Sequence, residues 1–231
     1  MTPPTTMGAV VARLVAYNHP LMFVAGKAAP ALAVGNAVIM KPPEQAPLSA
    51  LRMMELIDGI LPPGVLNVVT AARAGSAALV AHPDVPRLSL IGSVETGRAV
   101  ARSAADRLKH VTLELGGKNA CVIYPDADLD AAAHAAVAGM NFSWCGQSCG
   151  STSRLFVHES VHDKVMADVL ERVRHFRPGI PTDPATTMGA LVSPAQRDKV
   201  LSYVEIAKAE GARLACGGKV PADPALARGC F

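Results

Sequence analysis

Between residue 8 and about residue 115, short β-branched runs alternate with longer stretches of helical character, and this alternation restricts the chain more than any other feature. Strands separated by helix-length connections pair in parallel, so the pattern predicts an α/β fold with a parallel sheet covered by helices on both faces. Five strands are expected: GAVVARLVAY ending near Tyr17, NAVIMK ending at Lys41, VLNVVT ending at Thr70, RLSLI ending at Ile91 and HVTLEL ending near Leu115. Helices are expected over 21–34, 47–60, 75–81 and 95–107. Pro47 suits a helix start, and LPPG at 61–64 stops the same helix.

After Gly116-Gly117 the texture changes, and a second domain is expected over 116–231, following a first over 1–115. A strand ACVIY at 120–124 leads into an alanine-rich helix from Asp128 to Phe142. A strand RLFVH at 154–158 precedes a helix with Val161, Val165, Val169 and Val173 at four-residue spacing, one apolar stripe facing a core. Another helix is expected over 194–210, ending at Gly211, and PTDPATT at 181–187 reads as an exposed turn.

Half of the 231 residues are apolar and 18% are charged, enough apolar surface to form a globular core. No apolar run reaches the roughly 18–20 residues of a membrane helix, and the start MTPPTTMGAV lacks signal-peptide blocks, so a soluble, cytoplasmic protein with no membrane partner is expected. The net charge of +3 comes without a basic run, which argues against nucleic acid and for a small-molecule ligand. Cysteines at 121, 145, 149, 216 and 230 make an odd count, so free thiols are expected instead of a disulfide framework.

Ligands of open α/β sheets bind beyond the carboxyl ends of the strands, so the residues just past each strand are the candidates for chemistry. Asn18 lies past the first, Lys41 and Glu44 flank the end of the second, Gly92 and Ser93 lie at the end of the fourth, and Glu114 closes the fifth. The stretch from Gly92 to Gly97 opens a helix, whose free N–H groups could hold a pyrophosphate; it is equally an ordinary N-cap, and it is not the G-x-G-x-x-G fingerprint. Glu44 could accept from a ribose hydroxyl with Lys41 adding positive charge, or both are simply solvated.

Cys149 lies in WCGQSCGSTS, where small neighbours let a substrate approach a nucleophilic thiol; a buried, inert thiol is the alternative. Cys145 and Cys149 lack the second pair or histidine motif that a metal site needs. Glu114, in VTLELGG, reads as a general base partly desolvated by apolar neighbours, or as a rim carboxylate paired with Lys118. Asn18, in YNHP, offers an uncharged donor for a developing oxyanion, or is a turn asparagine. Trp144 could wall a bulky apolar site or sit in a core.

In order, AYNHPL, KPPE, LPPGVLNVV, IGSVETG, LELGGKN, GQSC and SRLFVHES resemble the aldehyde dehydrogenase superfamily across nearly the whole chain. The resemblance implies a Rossmann-like cofactor domain followed by the first part of a catalytic domain, and it implies that Asn18, Glu114 and Cys149 meet in one tunnel. It assigns Cys149 as nucleophile, Glu114 as general base and Asn18 as oxyanion donor. It also assigns Lys41, Glu44, Gly92, Ser93, Gly97, Tyr17 and Leu115 to cofactor contacts. The resemblance implies NAD or NADP as cofactor, with Glu44 favouring NAD because a carboxylate repels a 2′-phosphate. It implies a small-molecule aldehyde as substrate, and the full-length form is expected to be a homo-oligomer.

Tyr17 stands where a tryptophan is common in the family, Pro43 where a small residue is, and Trp144-Cys145 where an Asn-Gln pair is. These departures bear on substrate identity more than on chemistry. The family's downstream Glu-x-Phe-Gly-Pro motif is not in these 231 residues, so the chain reads as a central fragment with weak or no turnover by itself. Two other readings compete: a cysteine-dependent hydrolase, which would need no nicotinamide, and a noncatalytic fragment retaining the fold.

Overall fold

A computed structural model describes residues 8–231, in two compact units that divide between Gly116 and Gly117. The first unit contains β1 (Val10–Leu14), α1 (Pro20–Ala33), β2 (Ala37–Lys41), α2 (Leu48–Leu56), β3 (Leu66–Val68), α3 (Arg73–Ala81), β4 (Arg87–Gly92), α4 (Val94–Ala105) and β5 (His110–Leu115). Its five strands run parallel in the order β3-β2-β1-β4-β5, so the chain winds outward from β1 in both directions.

Both faces of β1 are buried, as a central parallel strand requires. Val11 and Val15 face Val24, Ala28 and Ala31 of α1, together with Val38 and Met40 of β2. Ala12 and Leu14 face the opposite layer, with Val80 of α3, Leu88 and Leu90 of β4, and Val100 and Ala104 of α4. Met40, Val24 and Val38 are fully buried, each side chain adding about 1.5–3 kcal/mol of burial free energy.

Strand ends depart from the expected positions for a physical reason. The first strand stops at Leu14 instead of Tyr17, although the Val15 N–H still donates to the Lys41 carbonyl at 3.2 Å. Its neighbour β2 runs into Pro42-Pro43, which have no N–H with which to continue the ladder. Residues 15–19 are thereby released from the sheet as the approach to α1. The second helix occupies Leu48–Leu56, shorter than 47–60, with Pro47 as N-cap. The expected five strands and four helices are all present, with shifts of a few residues at their ends.

The second unit contains β6 (Ala120–Ile123), α5 (Leu129–Ala138), β7 (Arg154–Val157), α6 (His162–Val173) and α7 (Pro194–Ala209), with short 3₁₀ turns at Phe142–Trp144, Glu159–Val161 and Pro224–Leu226. Strands β6 and β7 pair in parallel, from Ala120 opposite Arg154 to Ile123 opposite Val157. Val165 is fully buried and Val161, Val169 and Val173 are half-buried, so the four-residue stripe does face inward. Asp128 caps α5, accepting from the Asp130 and Ala131 N–H groups at 3.1 Å, and Ser193 caps α7, accepting from Gln196 N–H at 3.2 Å.

The helix begun at Asp128 ends at Ala138, four residues before the expected Phe142. The Gly139 carbonyl accepts from the Thr152 N–H at 2.8 Å, and a side chain at Gly139 would strike Thr152 Oγ1, 2.3 Å away. The returning chain occupies the space a continued helix would need. Residues 139–152 become a loop closed at its base.

Candidate active site

In the first unit, the polar candidates gather at one edge. Asn18, half-buried, lies in the bend between β1 and α1, Lys41 ends β2, Glu44 is exposed in the adjoining turn, Gly92 and Ser93 join β4 to α4, and Glu114 is the penultimate residue of β5. A cleft of about 280 Å³ opens at the same edge, between Pro42–Glu44 and Pro47 on one side and Thr70–Ala72 on the other. A second cleft, of about 350 Å³, includes Asn36, Arg87 and His110 at or near strand starts, the end where sheets of this type do not bind ligands. Tyr17 is half-buried, and desolvation holds its phenol above the ordinary value.

The β4–α4 junction is a capped helix start with free backbone donors. Ser93 Oγ accepts from the Thr96 N–H at 3.1 Å and lies 2.9 Å from Thr96 Oγ1, while the Gly97 N–H donates to the Ser93 carbonyl at 2.9 Å. The Val94 and Glu95 N–H groups have no partner among the described residues. Two unpaired donors at the positive end of a 12-residue helix suit a phosphate oxygen. Gly97 itself is buried. A Cβ there would lie 2.8 Å from both Leu115 methyl carbons, so Gly97 and Leu115 pack against each other and seat α4 close to β5.

Glu114 departs from expectation: it is exposed, instead of partly desolvated by apolar neighbours. The cause is the sheet order, because β5 is an edge strand with a neighbour on only one side. Lys118 Nζ donates to the Gly117 carbonyl at 3.2 Å.

Cys149 belongs to the second unit, on the 139–152 loop, and is exposed, so it is not a buried thiol. The loop is pinned on three sides. At its base, Ser151, 5% exposed, donates through Oγ to the Met140 carbonyl at 2.9 Å. On its outer limb, Cys145 Sγ donates to the Gly189 carbonyl at 2.9 Å, and Gln147 Oε1 accepts from the Val192 N–H at 3.1 Å. Across it, Asn119 Nδ2 donates to the Cys149 carbonyl at 2.9 Å and the Ser151 carbonyl at 3.2 Å. Asn141 and Cys145 take left-handed backbone angles, φ 55° and 57°, a region that asparagine tolerates and that cysteine rarely adopts.

Burial raises the Cys145 thiol above its ordinary value, and the Gly189 carbonyl holds it as a hydrogen-bond donor. The two cysteines of WCGQSC therefore have opposite settings, one tethered inward and one open. Trp144 is 47% exposed and is not a core residue. No cluster of three metal-ligating side chains exists among the described residues. Sequence reading missed Asn119, Cys145 and Gln147 as supports of the loop that carries Cys149, because their partners lie 30 to 45 residues away.

A doubly wound parallel sheet with two unpaired N–H donors after β4, joined in sequence to a unit that carries an exposed cysteine on a pinned loop, defines the class of α/β scaffold to which the chain belongs. The Aldehyde dehydrogenase family profile matches residues 5–231, and the chain belongs to that family. Aldehyde dehydrogenase tropH of Talaromyces stipitatus is 55% identical over 210 residues, 90% of this chain and 41% of that protein. A betaine aldehyde dehydrogenase of Brucella ovis is 48% identical over 217 residues, 94% of this chain and 44% of that protein. The crystal structure of PnpE from Pseudomonas sp. WBC-3 in complex with nicotinamide adenine dinucleotide superposes with a TM-score of 0.93 at 41% identity, over 96% of this chain and 46% of that one. The chain thus spans less than half the length of these relatives.

Proposed function

We propose that the protein carrying this chain oxidises an aldehyde to a carboxylic acid with NAD, using Cys149 as nucleophile, Glu114 as general base and Asn18 as oxyanion donor. The observation that carries the reading is the exposed Cys149 on a loop anchored on both limbs, with its backbone N–H unpaired among the described residues. Such a residue offers a thiol and an oxyanion donor from one position.

The residues present fit a dinucleotide. The Val94 and Glu95 N–H groups would hold its pyrophosphate, with Ser93 and Gly92 shaping that turn and Gly97 and Leu115 keeping it close to β5. Lys41 and Glu44, beside the 280 Å³ cleft, would bind a ribose, and Tyr17 adds an aromatic wall beside Asn18. The Glu44 carboxylate favours NAD by repelling a 2′-phosphate. When bound, the nicotinamide supplies the hydride acceptor that converts a thiohemiacetal into a thioester.

The Cys149 thiolate adds to the aldehyde carbon, forming the C–S bond and an oxyanion held by the Asn18 amide and the Cys149 N–H. Glu114 takes a proton from water, which attacks the thioester carbonyl. The C–S bond then breaks, releasing the acid and returning the thiol. An exposed carboxylate can relay protons to bulk solvent, which suits a base that must reset each cycle.

The test is NADH formation from a panel of aldehydes by the protein containing this segment. Cys149→Ala should abolish turnover, and Glu114→Gln should allow thioester formation while blocking its hydrolysis, seen as a single burst of NADH. Steady turnover in Cys149→Ala would overturn the reading. Acylation of Cys149 by an ester with no thermal stabilisation by NAD would favour a cysteine-dependent hydrolase instead.

A further inference from the structure

The carbonyl side of Cys149 is fixed and its amide side is open. Asn119 stands immediately before β6 and directs its one NH₂ group at two backbone carbonyls, Cys149 O at 2.9 Å and Ser151 O at 3.2 Å. Both neighbours are acceptors only, which dictates the orientation of the amide. Ser151 is in turn locked to Met140, and Thr152 N–H to the Gly139 carbonyl at 2.8 Å, so Asn119 ties Cys149 to the rigid base of the loop.

The neighbouring N–H groups are occupied. Ser148 donates to the Gly146 carbonyl at 2.9 Å, Gly150 to Ser148 Oγ at 3.2 Å, and Ser151 to the Ser148 carbonyl at 3.3 Å. The Cys149 N–H has no partner among the described residues. With the Ser148, Gly150 and Ser151 donors beside it consumed, this one remains for a ligand.

We propose that Asn119 is a positioning residue: by holding the Cys149 carbonyl it orients the Cys149 backbone so that the unpaired N–H and the thiol address the same substrate carbonyl. Asn119 touches no substrate and acts only through Cys149. The inference rests on Cys149 being the nucleophile, and its test separates the two.

Two reactions of the full chain, neither needing a dinucleotide, discriminate. With p-nitrophenyl acetate the thiolate attacks the ester carbonyl and an oxyanion forms. The C–S bond is made, the C–O bond breaks, and p-nitrophenolate leaves with the electron pair. With iodoacetamide the thiolate displaces iodide at a saturated carbon and no oxyanion develops. A positioning role for the N–H predicts loss of the first reaction without the second.

Asn119→Asp keeps the shape and removes both donors, Asn119→Ala removes the group, and Asn119→Ser restores one shorter donor. We expect Cys149 acylation to fall about tenfold in the Asp and Ala variants and less in Ser, with alkylation within about twofold of wild type in all three. Unchanged acylation overturns the proposal, and so does an equal fall in both rates, which would mark a merely structural residue. Failure of the nucleophile reading looks different: wild type would not be acylated at Cys149, or Cys149→Ala would retain the burst.

Discussion

At the residue scale, Cys145 and Cys149 show how four positions separate opposite fates for one side chain. Cys145 is half-buried with its Sγ 2.9 Å from the Gly189 carbonyl, while Cys149 is exposed. Burial, the larger influence, raises the Cys145 pKa above its ordinary value. A raised folded-state pKa means that the protonated thiol stabilises the fold fully below the ordinary thiol value, and that this contribution is lost as pH rises through the raised value. Wild type should therefore lose stability relative to Cys145→Ala as pH is taken above that range, checked by urea denaturation across an alkaline series. In the same range iodoacetamide should reach Cys145 later than Cys149, checked by mass spectrometry.

Residue identity alone offered Cys149, Glu114 and Asn18, and the ordered motifs made them coherent. It misjudged the surroundings of Glu114, because the exposure of a β5 residue depends on β5 being an edge strand. It did not indicate Asn119, whose carbonyl partners are 30 and 32 residues away. No local periodicity reports such a bond.

At the scale of elements, the α4–β5 contact is set by the absence of a side chain. A Cβ at Gly97 would meet both Leu115 methyl carbons at 2.8 Å. Gly97→Ala should cost about 1–3 kcal/mol by overpacking, despite the better helix propensity of alanine. Adding Leu115→Ala should recover part of that loss, a non-additivity measurable by chemical denaturation of the double-mutant cycle.

The end of α3 has a different fastening. Lys109, 9% exposed, donates through Nζ to the Val80 carbonyl at 2.6 Å and the His82 carbonyl at 2.7 Å, satisfying acceptors at the helix terminus. Burial, with the Arg107 charge second, holds its ammonium pKa below the usual value. Lys109→Met should keep most of the packing yet leave those carbonyls without their donor, costing about 1–3 kcal/mol. Comparison of wild-type and variant urea midpoints checks this.

The elements were nevertheless largely legible in sequence, because each is governed by periodicity and by punctuation such as Pro47 and LPPG at 61–64. The misplaced ends had tertiary causes. Helix α5 stops at Ala138 because Thr152 returns against Gly139, and Thr152 is 13 positions further along the chain.

At the scale of the whole molecule, the proposed cofactor reading makes a prediction about ligand preference. NAD should raise the melting temperature of the chain by binding the folded state alone, and NADP should raise it less. Glu44→Gln removes the charge that repels a 2′-phosphate while preserving shape, so the gap between the two cofactors should narrow. A differential scanning series with both nucleotides checks it, and an unchanged gap would place the discrimination elsewhere.

The parallel α/β fold and the order of its strands and helices were determined by the sequence itself, because a two-residue strand period and a 3.6-residue helix period are local properties. So was the family, through motifs whose order along the chain is as informative as their content. The tertiary structure alone decided which groups are buried, which donors are left unpaired, and what holds Cys149 in place. Those depend on atoms distant in sequence: a carbonyl at Gly189, an amide at Asn119, a threonine behind Gly139. The physical reason is that hydrogen-bond satisfaction and desolvation are properties of a neighbourhood, and a neighbourhood exists only once the chain has folded.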